Sequence, residues 1–425
     1  MELYANNPNL TSWIDVSKDS DFPIQNLPFG IFSDASSDHK KVGVAIGNQV
    51  VNLARLCERG YLAKLPFTTA DFDQDFLNPM LMHGKQNVRD LRNRIAKLLE
   101  VSNTELKSNP DDAAYIITNQ SECTMHLAVQ VGDYTDFYSS EQHAFNVGCL
   151  FRDPDNALLP NWKHIPVGYH GRSSSIIGSD QAIHRPKGQK KPPTAEVPVF
   201  GPSNLLDFEL ETAFITFEGK PLGDHIDVNE ADEYIFGMAL FNDWSARDIQ
   251  GWEYVPLGPF LGKSFASSLS PWIVTLDALE PFRVEGPVQI PKVLPYLEYT
   301  GNKHIDINLE VLIQPENQEE TIVCKSNYRH MYWNMNQQLA HHTVNGCNIK
   351  CGDLMGSGTI SGPEIGQFGS MLEISWKGTK PFQMPDGTER KFINDHDTVI
   401  MRGHSIKNGV RVGFGEVSTK VLPAK

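Results

Sequence analysis

The chain has 425 residues, 40% of hydrophobic types and 21% charged, a composition that supports a large buried core and excludes a disordered polyelectrolyte or a membrane bundle. Lys plus Arg number 37 against 52 Asp plus Glu, a net charge of −15, so the overall field repels phosphate backbones and nucleic acid is not an expected partner. Length predicts two or three domains, or one enlarged β-rich domain with a smaller companion.

The N-terminal stretch, beginning MELYANNPNL, lacks the basic start and the apolar run of about 7 to 15 residues that a secretory signal carries. The longest apolar stretch, 234–241, is too short for about 30 Å of hydrocarbon. Together these predict a soluble cytoplasmic protein with no membrane partner. The six cysteines, Cys57, Cys123, Cys149, Cys324, Cys347 and Cys351, contain no CxxC pair and are expected to be reduced core thiols.

Residues 42–53, VGVAIGNQVVNL, form two short β-prone runs around Gly47-Asn48 and predict a hairpin within an N-terminal β-rich module. Over 86–100, Val88, Leu91, Ile95, Leu98 and Leu99 recur at three- and four-residue spacing among charges, which predicts an amphipathic helix. The polar stretch 108–112 separates that helix from the β-prone 114–118, which places a domain boundary near residue 118, dividing 1–118 from 119–425. The basic, proline-rich 184–193 is expected to be a solvated loop. Strand-like runs at 207–217, 235–241, 272–276, 305–313, 371–376 and 411–417 follow, divided by Gly and Pro. They predict a mainly β, α+β fold rather than a βαβ alternation.

Several motifs fail on spacing. Residues 258–264, GPFLGKS, place three residues between the glycines where a phosphate-binding loop needs four, and 356–362, GSGTISG, has neither the spacing nor the context of a dinucleotide loop. No HExxH, GxSxG or EF-hand pattern is present, so zinc-protease, serine-hydrolase and nucleotide readings lose their support.

The acids are more informative. In LDFELE a strand of period two puts Glu209 and Glu211 on one face, with Phe208 and Leu210 on the other. Asp136 lies in the polar-aromatic DYTDFY, and Asp243 ends the apolar run 235–241 just before a predicted helix start in which Ser245 caps and Asp248 reaches back. Brought together, these four acids would offer only oxygen ligands, which favour Mg²⁺ or Ca²⁺ over zinc or copper, and without a cation they would not all stay ionised. Solvated acids on half-exposed strands remain the alternative.

His143, seven residues after Asp136, is a candidate general base near neutral pH, provided a carboxylate fixes its tautomer. Glu373 stands in the otherwise apolar run 371–376, where burial demands a partner. Arg152, Arg247 and Lys263, with the amide of Gln250, are candidates to hold an anionic substrate or a developing oxyanion. Tyr138, Tyr169, Tyr254 and Thr359 are candidates to close a pocket around a small acid.

At these residues the sequence resembles the fumarylacetoacetase family. The matching segments are GDYTDFYSSEQHAFNVG from Gly132, PVGYHGR from Pro166, LDFELE from Leu206, NDWSARDIQ from Asn242, WEYVPLGPFLGKSF from Trp252 and GTISGPE from Gly358. Length and the DYTDFYSS…H segment are similar to the long eukaryotic-type members. The resemblance implies an N-terminal SH3-like barrel, a C-terminal β-roll catalytic domain and a homodimer. It implies hydrolysis of 4-fumarylacetoacetate to fumarate and acetoacetate in tyrosine and phenylalanine breakdown. It further implies Asp136, Glu209, Glu211 and Asp243 as Ca²⁺ or Mg²⁺ ligands, His143 as base and Glu373 as its orienting acid. Arg247, Gln250 and Lys263 are implied as the oxyanion group, and Tyr138, Arg152, Tyr169, Gln250, Tyr254 and Thr359 as substrate contacts. A second Mg²⁺ position would involve Asp243, Lys263 and Ser267, where Ala266-Ser267-Ser268 stands in place of the expected Gly-Thr-Thr. Hydrolysis of a related acylpyruvate-type β-diketo acid, and a non-catalytic metal-binding scaffold, are the alternatives.

Overall fold

Alternating β-branched and small residues between 29 and 52 pair as β1 (Phe29–Asp34), β2 (Ser37–Ile46) and β3 (Gln49–Asn52). Ile46 faces Gln49 across the predicted two-residue turn, where Gly47 takes φ +53°, a left-handed conformation that this hairpin type needs. The structure, a computed structural model, describes residues 3–35 and 37–425. The predicted helix is α1 (Gly84–Leu99), and it buries Val88, Leu91, Ile95, Leu98 and Leu99. The β-prone 114–118 divides: Pro110–Ile116 is helical, with proline in its first turn, and only β4 (Ile117–Asn119) is extended. With β5 (Cys123–His126), the N-terminal sheet runs in the order β4-β3-β2-β1-β5, and the chain leaves it after His126.

The elements that build the larger unit are β6 (Tyr134–Phe137), α2 (Glu141–Phe151), β7 (Gly168–His170), β8 (Ile176–Gly178), β9 (Leu206–Asp207) and β10 (Leu210–Thr216). They continue with β11 (Ile235–Asn242), β12 (Ser245–Ala246), α3 (Arg247–Glu253), β13 (Ser267–Leu269), β14 (Val274–Thr275), β15 (Leu354–Gly356) and α4 (Met371–Ile374). An eight-stranded sheet runs β7-β6-β15-β10-β11-β13-β8, with β14 on β11. A five-stranded sheet of Thr321–Asn327, Asn308–Gln314, Thr398–Lys407, Val410–Leu422 and Ile183–His184 packs nearby.

Every residue of β10 and β11 is buried, as expected of central strands covered on both faces. Ala213, Ile215 and Ala239 share a core with Ile31, Val42 and Leu91 of the N-terminal unit, while Phe214, Met238 and Leu240 pack with Val311, Met401 and Phe414 of the five-stranded sheet. The expected mainly β, α+β class is what forms, a small N-terminal β unit on a larger curled sheet.

Four further local expectations are corrected. Residues 184–193 are not a solvated loop throughout, since Ile183–His184 and Lys187–Lys190 are strands and Lys190 is buried. Residues 371–376 are not a strand: α4 is a helical turn capped by Ser370, whose side chain accepts from the Glu373 N–H. Residues 272–276 give only the two-residue β14 before the helix Leu276–Leu279. The Ser245–Asp248 capping pair does not form, because Ser245 belongs to β12 and its hydroxyl donates to the Asp243 carbonyl at 3.3 Å. Asp248 instead accepts from the Ser203 hydroxyl at 2.5 Å and the Asn204 N–H at 2.7 Å. All six cysteines are free thiols, but of the six only Cys324 is a buried core residue and the other five are half-buried, and no helix of the described residues is long and apolar enough to cross a membrane.

Candidate active site

Strand register explains how distant acids meet. Asp136 on β6 pairs with Gly356 on β15, which pairs with Ala213 on β10, so two small residues stand beside Asp136 across the row. Glu211 lies two positions along β10, and a Cβ at residue 356 would sit 3.0 Å from its Oε2 and 3.2 Å from Asp136 Oδ1. Glu209 occupies the break between β9 and β10, bridged to Ser370, and Asp243 follows the last residue of β11. Asp136, Glu209, Glu211 and Asp243 are all buried, and each offers one carboxylate oxygen within 4.8 Å of the others.

Burial, then the Asp243 charge, holds Asp136 well above the ordinary carboxylate range. Burial, then Asp136 and Asp243, does the same to Glu211, and burial also raises Asp243. Glu209 moves the other way: burial pushes it up, but Lys263 and Arg247 together pull it below its usual value. Lys263 Nζ donates to Glu209 Oε2 at 2.5 Å and Asp243 Oδ2 at 2.6 Å, and Arg247 Nη1 to Glu209 Oε1 at 2.7 Å. Among the described residues, Asp136 Oδ1 and Glu211 Oε1 are buried without a hydrogen-bond partner, a costly state for charged oxygens. An oxygen-only donor set with two unclaimed oxygens fits a hard divalent cation.

The remaining polar groups sit around this cage. Ser267 Oγ donates to Asp243 Oδ1 at 2.6 Å and the Tyr169 hydroxyl to Asp243 Oδ2 at 3.4 Å. Gln250, one turn along α3, accepts from Arg247 Nη1 at 3.3 Å, and Arg247 Nη2 is buried with no partner among the described residues.

His143 stands in the first turn of α2 because Ser140 caps that helix, accepting from the His143 N–H at 3.2 Å. Its Nδ1 lies 2.6 Å from Glu373 Oε2. Glu373 also accepts from Asn146 Nδ2, Ser361 Oγ and Ser370 Oγ, each at 2.9 Å. Burial pushes the Glu373 carboxyl up, but His143 and these donors hold it below its ordinary value, hence ionised. A carboxylate at Nδ1 places the ring proton there and leaves Nε2 as the acceptor. Tyr138 packs edge-on to the imidazole, ring centres 5.3 Å apart, and the pair is joined to the cage through Ser370, which bridges Glu209 and donates its hydroxyl to Glu373.

Three candidates make no side-chain hydrogen bond to this cluster among the described residues. Arg152 is exposed and donates to the carbonyls of Asn156 at 3.3 Å and Ala157 at 2.6 Å, although its charge still reaches Tyr138. Tyr254 is exposed at the end of α3, and Thr359 is buried beside Gly369. Asp207, Asn146, Ser361 and Ser370 escaped the sequence reading. One signal was available: Ser370-Met371-Leu372-Glu373 matches the S-x-x-E pattern of a helix start.

A family model described as fumarylacetoacetate hydrolase C-terminal matches residues 134–422, and another described as fumarylacetoacetase N-terminal matches residues 25–128. The chain belongs to the fumarylacetoacetate hydrolase family. Within it, the chain is 52% identical over 420 residues to a fumarylacetoacetase of Caenorhabditis elegans, covering 98% of this chain and 100% of that protein. It is 51% identical over 414 residues to one of Homo sapiens, covering 97% and 99%. A solved fumarylacetoacetate hydrolase from the psychrophile Exiguobacterium antarcticum shares the fold, with TM-score 0.53, 16% identity and coverage of 94% and 100%.

Proposed function

We propose that this protein hydrolyses the carbon–carbon bond of 4-fumarylacetoacetate to fumarate and acetoacetate, the closing step of tyrosine and phenylalanine breakdown, as a homodimer in the cytoplasm. The observation that carries the reading is the 2.6 Å His143–Glu373 pair, joined to the four-carboxylate cage through the Glu209–Ser370 bridge. Near 50% identity along the whole chain to fumarylacetoacetases supports the substrate.

Expelling a carbanion from an unactivated carbon–carbon bond is prohibitive, whereas a β-diketone lets the leaving fragment depart as an enolate. A calcium or magnesium ion held by Asp136, Glu209, Glu211 and Asp243 would supply Lewis acidity to the diketone oxygens and to the enolate charge. A second magnesium would rest on oxygens of Asp243 and Ser267; the Lys263 side chain, an ammonium bonded to Glu209 and Asp243, is a charge neighbour there and not a ligand. His143, oriented by Glu373, takes a proton from water through Nε2 as the water oxygen adds to the neighbouring carbonyl carbon. Arg247, Lys263 and Gln250 bind the tetrahedral oxyanion, each well-placed donor stabilising it by roughly 3 to 4 kcal/mol. When the carbon–carbon bond breaks, its electron pair stays with the acetoacetate fragment, which then takes up a proton. Tyr138, Arg152, Tyr169, Gln250, Tyr254 and Thr359 hold the anionic substrate.

Incubation with fumarylacetoacetate is expected to release fumarate and acetoacetate in equal amounts. Turnover of acylpyruvates with none of fumarylacetoacetate would overturn the substrate assignment. The dimer is supported by the exposed apolar side chains Val197, Phe200, Leu257 and Phe260, and light scattering at monomer mass would count against it.

A further inference from the structure

Asp207 has no part in the chemistry above, yet it is fully buried and its carboxylate serves three donors. Oδ1 accepts from the Met371 N–H at 2.7 Å, and Oδ2 accepts from the Leu372 N–H at 3.0 Å and from Arg247 Nε at 2.9 Å. Met371 and Leu372 open α4, the turn that carries Glu373. Arg247 in turn donates to Glu209 of the cage. One carboxylate thus ties the guanidinium on the cage to the backbone that carries the acid of the histidine pair. The geometry is local in origin, because Asp207 pairs across strands with Ser245, two residues before Arg247. Both oxygens accept, so an amide at this position would turn a donor onto a donor.

We propose that Asp207 is a positioning residue that sets the placement of the His143–Glu373 pair relative to the cation cage. The proposal rests on the hydrolase reading, which wild-type turnover of fumarylacetoacetate and its loss in Glu373→Gln test first. Asp207→Asn is then measured alone and in the Glu373→Gln background. Alone, kcat is expected to fall about 20-fold with KM within about twofold. Calcium affinity by calorimetry should be unchanged. In the Glu373→Gln background the same substitution should lower the residual kcat less than about threefold, because the pair it positions is already lost. An equal loss in both backgrounds, a raised KM with kcat kept, or weakened calcium binding would overturn the proposal and leave the hydrolase reading standing.

Should Asp207→Asn fail to fold, Met371→Pro against Met371→Ala reads the same link. Proline is tolerated at the first helical position after the extended Ser370 but cannot donate to Asp207. A kcat about tenfold lower for the proline variant supports the proposal, and equal values overturn it.

Discussion

Among the four cage acids, only Glu209 has its pKa lowered, because Lys263 and Arg247 both bond it; Asp136 and Glu211 each keep an unclaimed buried oxygen. The cage also depends on Gly356, where a Cβ would press on the unclaimed Asp136 Oδ1 at 3.2 Å and on Glu211 Oε2 at 3.0 Å, the Glu211 oxygen that accepts from the Gly358 N–H. Gly356→Ala should therefore weaken calcium binding, by about tenfold for contacts that tight, and so lose about 1.4 kcal/mol of the stabilisation that excess calcium gives; unaltered affinity by calorimetry would show that the cradle is not used. Glu373→Gln, which loses the charge that holds His143, should lower kcat by about 10²- to 10⁴-fold while KM moves little, as read by steady-state kinetics. Arg152→Ala should mainly raise KM, since its exposed charge acts on substrate capture; an unchanged KM with lost kcat would move Arg152 to transition-state binding.

Elements explain what was legible in the sequence. The 42–53 hairpin and the 86–100 helix were readable because their signals are local: a Gly-Asn turn and a three-four apolar spacing. The cage acids were readable as a set because they sit in short, distinctive segments. The 371–376 run was misread as a strand because apolar and polar residues alternate there, while the helical turn depends on Ser370 and on Asp207, whose contribution comes from a remote strand. Gly356 was invisible for a related reason: its value lies in the neighbours that β6 and β10 bring to it. Gly148 on α2 is a similar close approach, since a Cβ there would meet the Ala157 carbonyl at 2.2 Å. Because that contact is backbone, Gly148→Ala should lower stability by roughly 1–3 kcal/mol, measured by denaturant unfolding, and should loosen the loop that Arg152 braces.

At the scale of the molecule, the N-terminal unit is bound to the catalytic sheet by a shared core and by Arg89 of α1, which donates twice to Asp277 at 2.7 Å. The buried charge of the cage links stability to pH and cation. Asp136, Glu211 and Asp243 have folded-state pKa values raised above the ordinary carboxylate range. In cation-free protein their contribution is thus fully present below the unfolded pKa of about 4 and is lost as pH rises through the folded values. Glu209 and Glu373, both lowered, act in the opposite sense, contributing above the unfolded value and losing it only as pH falls. Cation-free protein should therefore melt at progressively lower temperature as pH rises above about 4, and the gain on adding calcium should grow in the same direction. At one fixed calcium concentration, worth about 2.7 kcal/mol where it is 100 times Kd, an equal gain at low and at high pH would contradict the linkage.

The most direct measurement is the rate of fumarylacetoacetate loss, followed by its ultraviolet absorbance, in protein stripped of divalent cations and then titrated with calcium or magnesium. Activity should vanish on stripping and return in proportion to cation bound, in wild type but not in Glu209→Gln. Full turnover by the stripped protein would contradict the account.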